Sequence, residues 1–221
     1  MLESQKHVFW QAFLVTVLLF GIGVFLGIVL ENARVGKINT LYQISEVNLL
    51  DVQLQNQIYS LNEFNCSNAV KENIYFADRI FEEAKQLERY ETSSRLTESI
   101  ILQHKKYDLL RTILFLNSIK IKEICKGHDY SEVVYFYSYD DTTYDVRAQQ
   151  SVFSRLLKEL KEEKGDKVLL IPIAADTNLS AVNIILNTYD ISYEELPVIL
   201  IDRKIKINEI LTLDQLKDRI S

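Results

Sequence analysis

Residues 8–30 read VFWQAFLVTVLLFGIGVFLGIVL, a run of about 23 residues without a charge, long enough as a helix to cross a hydrocarbon layer of about 30 Å. A core helix of a soluble domain seldom runs so far without a polar face, and Trp10 near one edge suits the interfacial preference of amphipathic rings. A cleaved signal peptide needs a shorter apolar region of about 7 to 15 residues ending in a small-x-small site. Here the run ends Val29-Leu30-Glu31-Asn32, so the sequence predicts an uncleaved single-pass anchor at 8–30 behind a short tail, 1–7.

The positive-inside comparison sets Lys6 and the amino terminus against Arg34 and Lys37. A short tail before a first span usually stays in the cytosol, which places the C-terminal region outside the cell membrane. Gly23 and Gly27 form a small-xxx-small pair that can bring two such helices together as a homo-oligomer, although glycine is also simply frequent in membrane helices.

The charge balance of −6 contains no run of Lys or Arg, which argues against a nucleic-acid partner. The three histidines, His7, His104 and His128, are far apart and the only cysteines are Cys66 and Cys125, so no metal-ligand spacing exists and no cofactor is expected.

Residues 31–127 have the composition of a helical stalk, without proline and rich in Leu, Ile, Glu, Lys and Gln. Three helices are expected. The first continues from the membrane to about Leu61 with an imperfect, coiled-coil-like stripe of Ile38, Leu41, Ile44 or Ser45, Val52 and Ile58, weakened by Asn48 and Gln55. The second starts at the cap-like Asn65-Cys66-Ser67-Asn68, turns Val70, Ile74, Ala77, Phe81 and Ala84 inward, and ends near Tyr90. Thr92, Ser93 and Ser94 then introduce a third, with Leu96, Ile100, Tyr107, Leu110, Leu114 and Ile121 on one face and Gly127 as its stop. The last two should form an antiparallel hairpin. The charge runs Glu82-Glu83 and Lys105-Lys106 read as solvated faces.

From 131 to 221 the texture is α/β. Ser131 to Ser138 is apolar on both faces, as a buried central strand should be. A helix over about 145–164 follows, turning Val146, Val152 or Phe153, Leu156, Leu157 and Leu160 inward, and then a strand over 167–173. Pro172 has no amide proton and belongs at a bulge, a strand end or an edge. A helix over about 179–189, a hairpin turning at Asp202-Arg203, and a helix over 213–220 capped by Thr212 complete a mixed sheet with helices on both faces.

That order, together with Asp176, Tyr189-Asp190-Ile191 and Leu196-Pro197 before Val198-Ile199-Leu200-Ile201, resembles the thioredoxin-like superfamily over 131–221. The resemblance implies that Pro197 is a cis-proline whose preceding residue can pair with an extended peptide. It also implies that the family's Cys-x-x-Cys loop corresponds to Tyr139, Asp140, Asp141, Thr142, Thr143 and Tyr144, with Asp140 and Thr143 best matching the two cysteines. Neither residue can form a thiolate, so dithiol exchange is excluded there. Asp140, Asp141 and Asp145 read as helix caps and dipole partners, and no EF-hand spacing is present.

Cys66 begins the second helix and Cys125 ends the third, so a hairpin brings them toward the same end and a structural disulfide is expected. The alternative is a pair of free thiols in a reducing cytosol. The functional expectation is a membrane-anchored, redox-inactive thioredoxin-fold module that binds a protein or peptide and is not an enzyme. The alternative is a thiol-disulfide oxidoreductase-related component working through Cys66 and Cys125.

Overall fold

The computed structural model describes residues 2–61, 64–91, 98–125, 130–140 and 143–220. The chain divides into two compact units, Met1–Ile44 and Ser45–Ser221. Helix α1 (Leu2–Ser60) begins in the first and ends in the second.

In the first unit, the segment His7–Ala33 is long and apolar enough to span a membrane, and none of its side chains is buried by protein. The hydroxyl of Thr16 donates to the carbonyl of Ala12 at 2.9 Å, so this polar group needs no water. Around Gly23 and Gly27 an added Cβ would meet nothing within 4 Å.

The second unit is built on a four-stranded sheet of order β2-β1-β3-β4, formed by β1 (Ser131–Tyr137), β2 (Val168–Ala174), β3 (Val198–Ile201) and β4 (Ile205–Ile207). β1 is parallel to β2 and antiparallel to β3, and β3 is antiparallel to β4. The central place of β1 explains why its two faces are both apolar. Pro172 lies on β2, an edge strand, opposite Tyr135, where its missing donor interrupts no further ladder.

Helices cover both faces. On one, α4 (Tyr144–Lys164) and α6 (Leu213–Lys217) bury Phe153, Leu156, Leu157, Leu160 and Leu216 against Val133, Tyr135, Ile199 and Ile201. Val152 is exposed and Phe153 takes the inward position. α4 ends at Gly165, whose φ of +57° a side chain would disfavour. Thr212 caps α6 through the amide of Gln215, but the helix stops at Lys217, short of the expected 220.

On the other face α5 (Ser180–Thr188) is joined by α2 (Cys66–Glu91) and α3 (Glu98–Ile124). Phe76, Ile80, Leu110, Leu114 and Phe115 share one core with Val134, Phe136, Ile171, Ile173, Val182 and Leu200. The expected division between a helical stalk at 31–127 and a sheet domain at 131–221 is therefore not a division of the core. The reason lies in the sheet: α5 is too short to cover this face, and the hairpin supplies the missing apolar surface.

Helix faces are corrected accordingly. α2 turns Asn73, Phe76, Ala77 and Ile80 inward, while Phe81 is exposed and Val70, Ile74 and Ala84 are half-buried. α1 buries Asn48, Val52 and Tyr59, leaving Ile44 and Ile58 exposed. Glu83 is half-buried rather than solvated, its carboxylate accepting from Asn48 Nδ2 at 2.9 Å. Asn65 caps α2 by accepting from the Asn68 amide at 3.1 Å. Thr92, Ser93, Ser94, Leu96, Gly127 and His128 lie outside the described residues, as do the side chains of Ile38, Leu41, Ser45 and Ile100.

Cys66 and Cys125 are joined by a disulfide with a Cα separation of 5.6 Å. It lies in a small cluster with Tyr59, Phe64, Ala69 and Ile121, where the start of α2 meets the end of α3.

Candidate functional site

Three chain segments meet at the C-terminal end of the parallel pair β1/β2. β1 runs into Ser138, Tyr139 and Asp140; β2 runs into Ala175 and Asp176; β3 begins beside them after a cis Leu196–Pro197 peptide. The pairing of Phe136 with Val198 fixes this neighbourhood, since the next residue on each strand is Tyr137 and Pro197. The register thus brings Pro197 and the first part of the 139–144 loop to one end of the sheet.

One carboxylate holds the start of the loop. Asp176 accepts from the Ser138 hydroxyl at 2.5 Å, the Tyr139 amide at 2.7 Å and the Asp140 amide at 2.8 Å. The Ser138 amide in turn donates to Gln150 Oε1 at 3.0 Å. Thr143 stands at the N-cap position of α4 without a side-chain cap hydrogen bond, and Asp145 lies in the first turn, where a carboxylate suits the helix dipole. Asp141 and Thr142 lie outside the described residues.

Beneath this loop α3 contributes a buried polar cluster that residue-type reasoning missed. Asp108, fully buried, accepts from the Ala174 amide at 3.1 Å, lies 3.3 Å from Arg111 Nη1, and lies 3.2 Å from His104 Nδ1. His104 Nε2 is 3.4 Å from the Tyr137 hydroxyl, and its ring lies 4.0 Å from that of Tyr139, centroid to centroid. A tautomer protonated on Nδ1 satisfies both ring nitrogens. Burial pushes the Tyr137 hydroxyl well above the usual tyrosine range, with Arg111 pulling it down and Asp108 adding to the rise. The signal was the i, i+4 and i+3 spacing of His104, Asp108 and Arg111, hidden because each residue taken singly reads as a solvated side chain on a helix.

The chemistry of this end is one of fixed shape. A carboxylate already accepting three hydrogen bonds is committed, and the Ser138 hydroxyl is one of its three donors. His104 is engaged on both nitrogens. Both cysteines are joined at the α2/α3 end, in a different cluster. Among the described residues no group of His, Cys, Asp or Glu is arranged to hold a metal.

On the segment leading into Leu196–Pro197, a shallow recess of about 460 Å³ opens between α5 and the turn Tyr193–Glu195. Asn183, Asn187, Leu186, Ile191 and Tyr193 line it, and the Tyr193 hydroxyl donates to Asn183 Oδ1 at 2.7 Å.

A different set of charges occupies the opposite end of β1. Glu132, fully buried, accepts from the Ser118 hydroxyl at 2.6 Å and forms an ion pair with Arg203 at 3.2 Å whose angle falls short of a hydrogen bond. Lys122 reaches Asp202 at 2.6 Å, and Asp202 also accepts the Glu132 amide at 2.9 Å. Asp202 and Arg203, the central residues of the turn closed by the Lys204 amide on the Ile201 carbonyl at 3.0 Å, both have positive φ, 46° and 61°. This network ties α3 to that turn and is structural.

Comparison of the chain with protein-family models, with curated proteins and with solved structures finds no match in any of the three.

Proposed function

We propose that this chain is a membrane-anchored, non-catalytic module of thioredoxin-like fold that binds a polypeptide segment on the extracytoplasmic side. The observation that carries the reading is the joining, at one end of the sheet, of a cis Leu196–Pro197 peptide and a cysteine-free loop whose start Asp176 holds in place. The element order strand, helix, strand, helix, strand, strand, helix supports the family assignment. Ligands of open α/β sheets generally sit outside the carboxyl ends of strands, where this loop lies, and the Tyr193 recess adjoins the segment that leads into Pro197. Tyr144, 81% exposed, offers an amphipathic ring to such a ligand. A protein disulfide favours an oxidising compartment and so an external domain.

The dithiol alternative has weaker support. Cys125 is only 4% exposed, and the pair lies in a cluster away from the loop where a helix N-terminus and cis-proline would act on a substrate.

The test is a photo-crosslinking side chain placed at Tyr144 or Tyr193 in the full chain in its own membrane, with Glu159 on the exposed side of α4 as control. A polypeptide adduct at the first two positions and none at Glu159 is the expected result. No adduct at either position overturns the binding role, and protease cleavage of the C-terminal region only from the cytosolic side overturns the external placement.

A further inference from the structure

Helix α1 is already committed on one side after Ser45: Asn48, Val52 and Tyr59 are buried, and Asn56 donates to Asn117 of α3 at 2.7 Å. Its other side carries a second apolar row. Val47, Leu50, Leu54 and Ile58, with Leu61 in the turn that follows the helix, are 65%, 58%, 58%, 49% and 72% exposed. Their spacing of three, four, four and three residues follows one stripe of a helix. Scattered exposed leucines need no explanation, whereas a continuous row opposite an occupied face does.

We infer that this row is the interface between two copies of the chain, which pair with their α1 helices parallel. Three observations select a second copy. Each copy also carries the apolar span His7–Ala33, so two copies anchored in one membrane share one chain polarity and hold their rows at the same number of residues from the span. The positions Val47, Leu50, Leu54 and Leu61 fit the a and d places of successive heptads, with uncharged Gln57 at the remaining d place. The five residues expose about 600 Å² per copy, so a pair that covered them fully, with the seam's flanking residues adding to it, reaches about 1,200 Å², the lower bound of a stable specific interface.

Charge sets the strength of the contact. Glu46 and Asp51 flank the seam on the sides where parallel helices face each other, and like charges there oppose pairing. Asp51 is partly engaged within its own copy, 3.9 Å from Arg79 and accepting from Gln55 at 3.1 Å. The pair is accordingly one that needs the membrane to concentrate it.

The experiment places single cysteines at Leu50 or Leu54 in the full chain in its own membrane, under mild oxidation, with Lys71→Cys on the exposed side of α2 as control. Covalent dimers of this chain at Leu50 and Leu54, absent at Lys71, are expected. The pair Leu50→Asp and Leu54→Asp, both on exposed positions and so harmless to the core, should abolish crosslinking through a cysteine at Val47. Crosslinks to a different protein, no crosslink at either seam position, dimers as abundant at Lys71, or dimers that survive both aspartates would each overturn the inference. None of these outcomes depends on peptide binding at the sheet end.

Discussion

Asp176, two residues beyond β2, accepts the Tyr139 amide at 2.7 Å and so fixes the loop beyond β1 from the neighbouring strand. The same carboxylate takes the Ser138 hydroxyl and the Asp140 amide, so three donors lose their acceptor if it is removed. Charge-assisted hydrogen bonds are about twice as strong as neutral ones, and the loop amides can be rehydrated only by opening. Asp176→Ala should cost about 2 kcal/mol in urea unfolding of the full chain in detergent. It should also speed amide exchange at Tyr139 and Asp140, while Val134 in the strand centre keeps its protection. Unchanged exchange at both loop amides would remove Asp176 as the clamp.

The Cys66–Cys125 bond closes 59 residues of sequence, which the chain-entropy model values at roughly 4 kcal/mol. Reduction, or Cys66→Ser with Cys125→Ser, should lower the unfolding midpoint by a corresponding amount. Mass spectrometry of non-reduced protein from its own membrane checks the bond directly. Two alkylatable thiols there would contradict both the bond and the external placement.

What the sequence disclosed and what it withheld divide along physical lines. A helix long and apolar enough to span a membrane, β1 as a central strand, the turn at Asp202-Arg203, the Thr212 cap and the cysteine pairing all depend on local composition or simple chain geometry. On α1 apolar residues lie on both sides after Ser45, and on α2 the apolar arc is broad enough that its edge, with Phe81, stays outside, so burial is decided by which neighbour arrives. Phe81 and Ile58 look like core residues and are exposed, while Asn48 and Asn73 look like surface residues and are buried. The His104, Asp108 and Arg111 cluster was invisible for a related reason: Asp108 is a site only because the Ala174 amide, 66 residues away in sequence, meets it.

Glu132 gives a pH signature. Burial holds its carboxyl above the usual range, with Ser118, Lys122 and Arg203 pulling it down and Asp202 adding to the rise. Burial raises Glu83 as well, against Asn48, Arg79 and Tyr107. A carboxyl raised in the folded state contributes stability that is complete below its unfolded pKa, about 4.3, and is lost as pH rises through the folded value. Glu132→Gln keeps the shape and cannot ionise. Its stability relative to the parent should therefore improve from pH 4 toward neutrality, read from paired urea titrations. Parallel profiles for the two proteins would show that the charge costs nothing in place.

The shared core makes the final prediction. Phe115 on α3 is fully buried, and its ring centroid lies 6.1 Å from that of Tyr189, which follows α5. Truncating a buried phenylalanine typically costs 3 to 5 kcal/mol, from lost transfer energy and the cavity left behind. If the helical hairpin were a stalk beside a separate sheet domain, Phe115→Ala would melt the hairpin early and leave the sheet intact. With one core on this face, the sheet must lose its cover at the same time. Amide exchange at Phe136 and Leu200, strand residues facing α3, should therefore accelerate together with that at Leu110 and Leu114, in one cooperative transition shifted to lower urea. Early loss of protection in α3 alone, with Phe136 and Leu200 as slow as in the parent, would restore the two-domain division at 127–131.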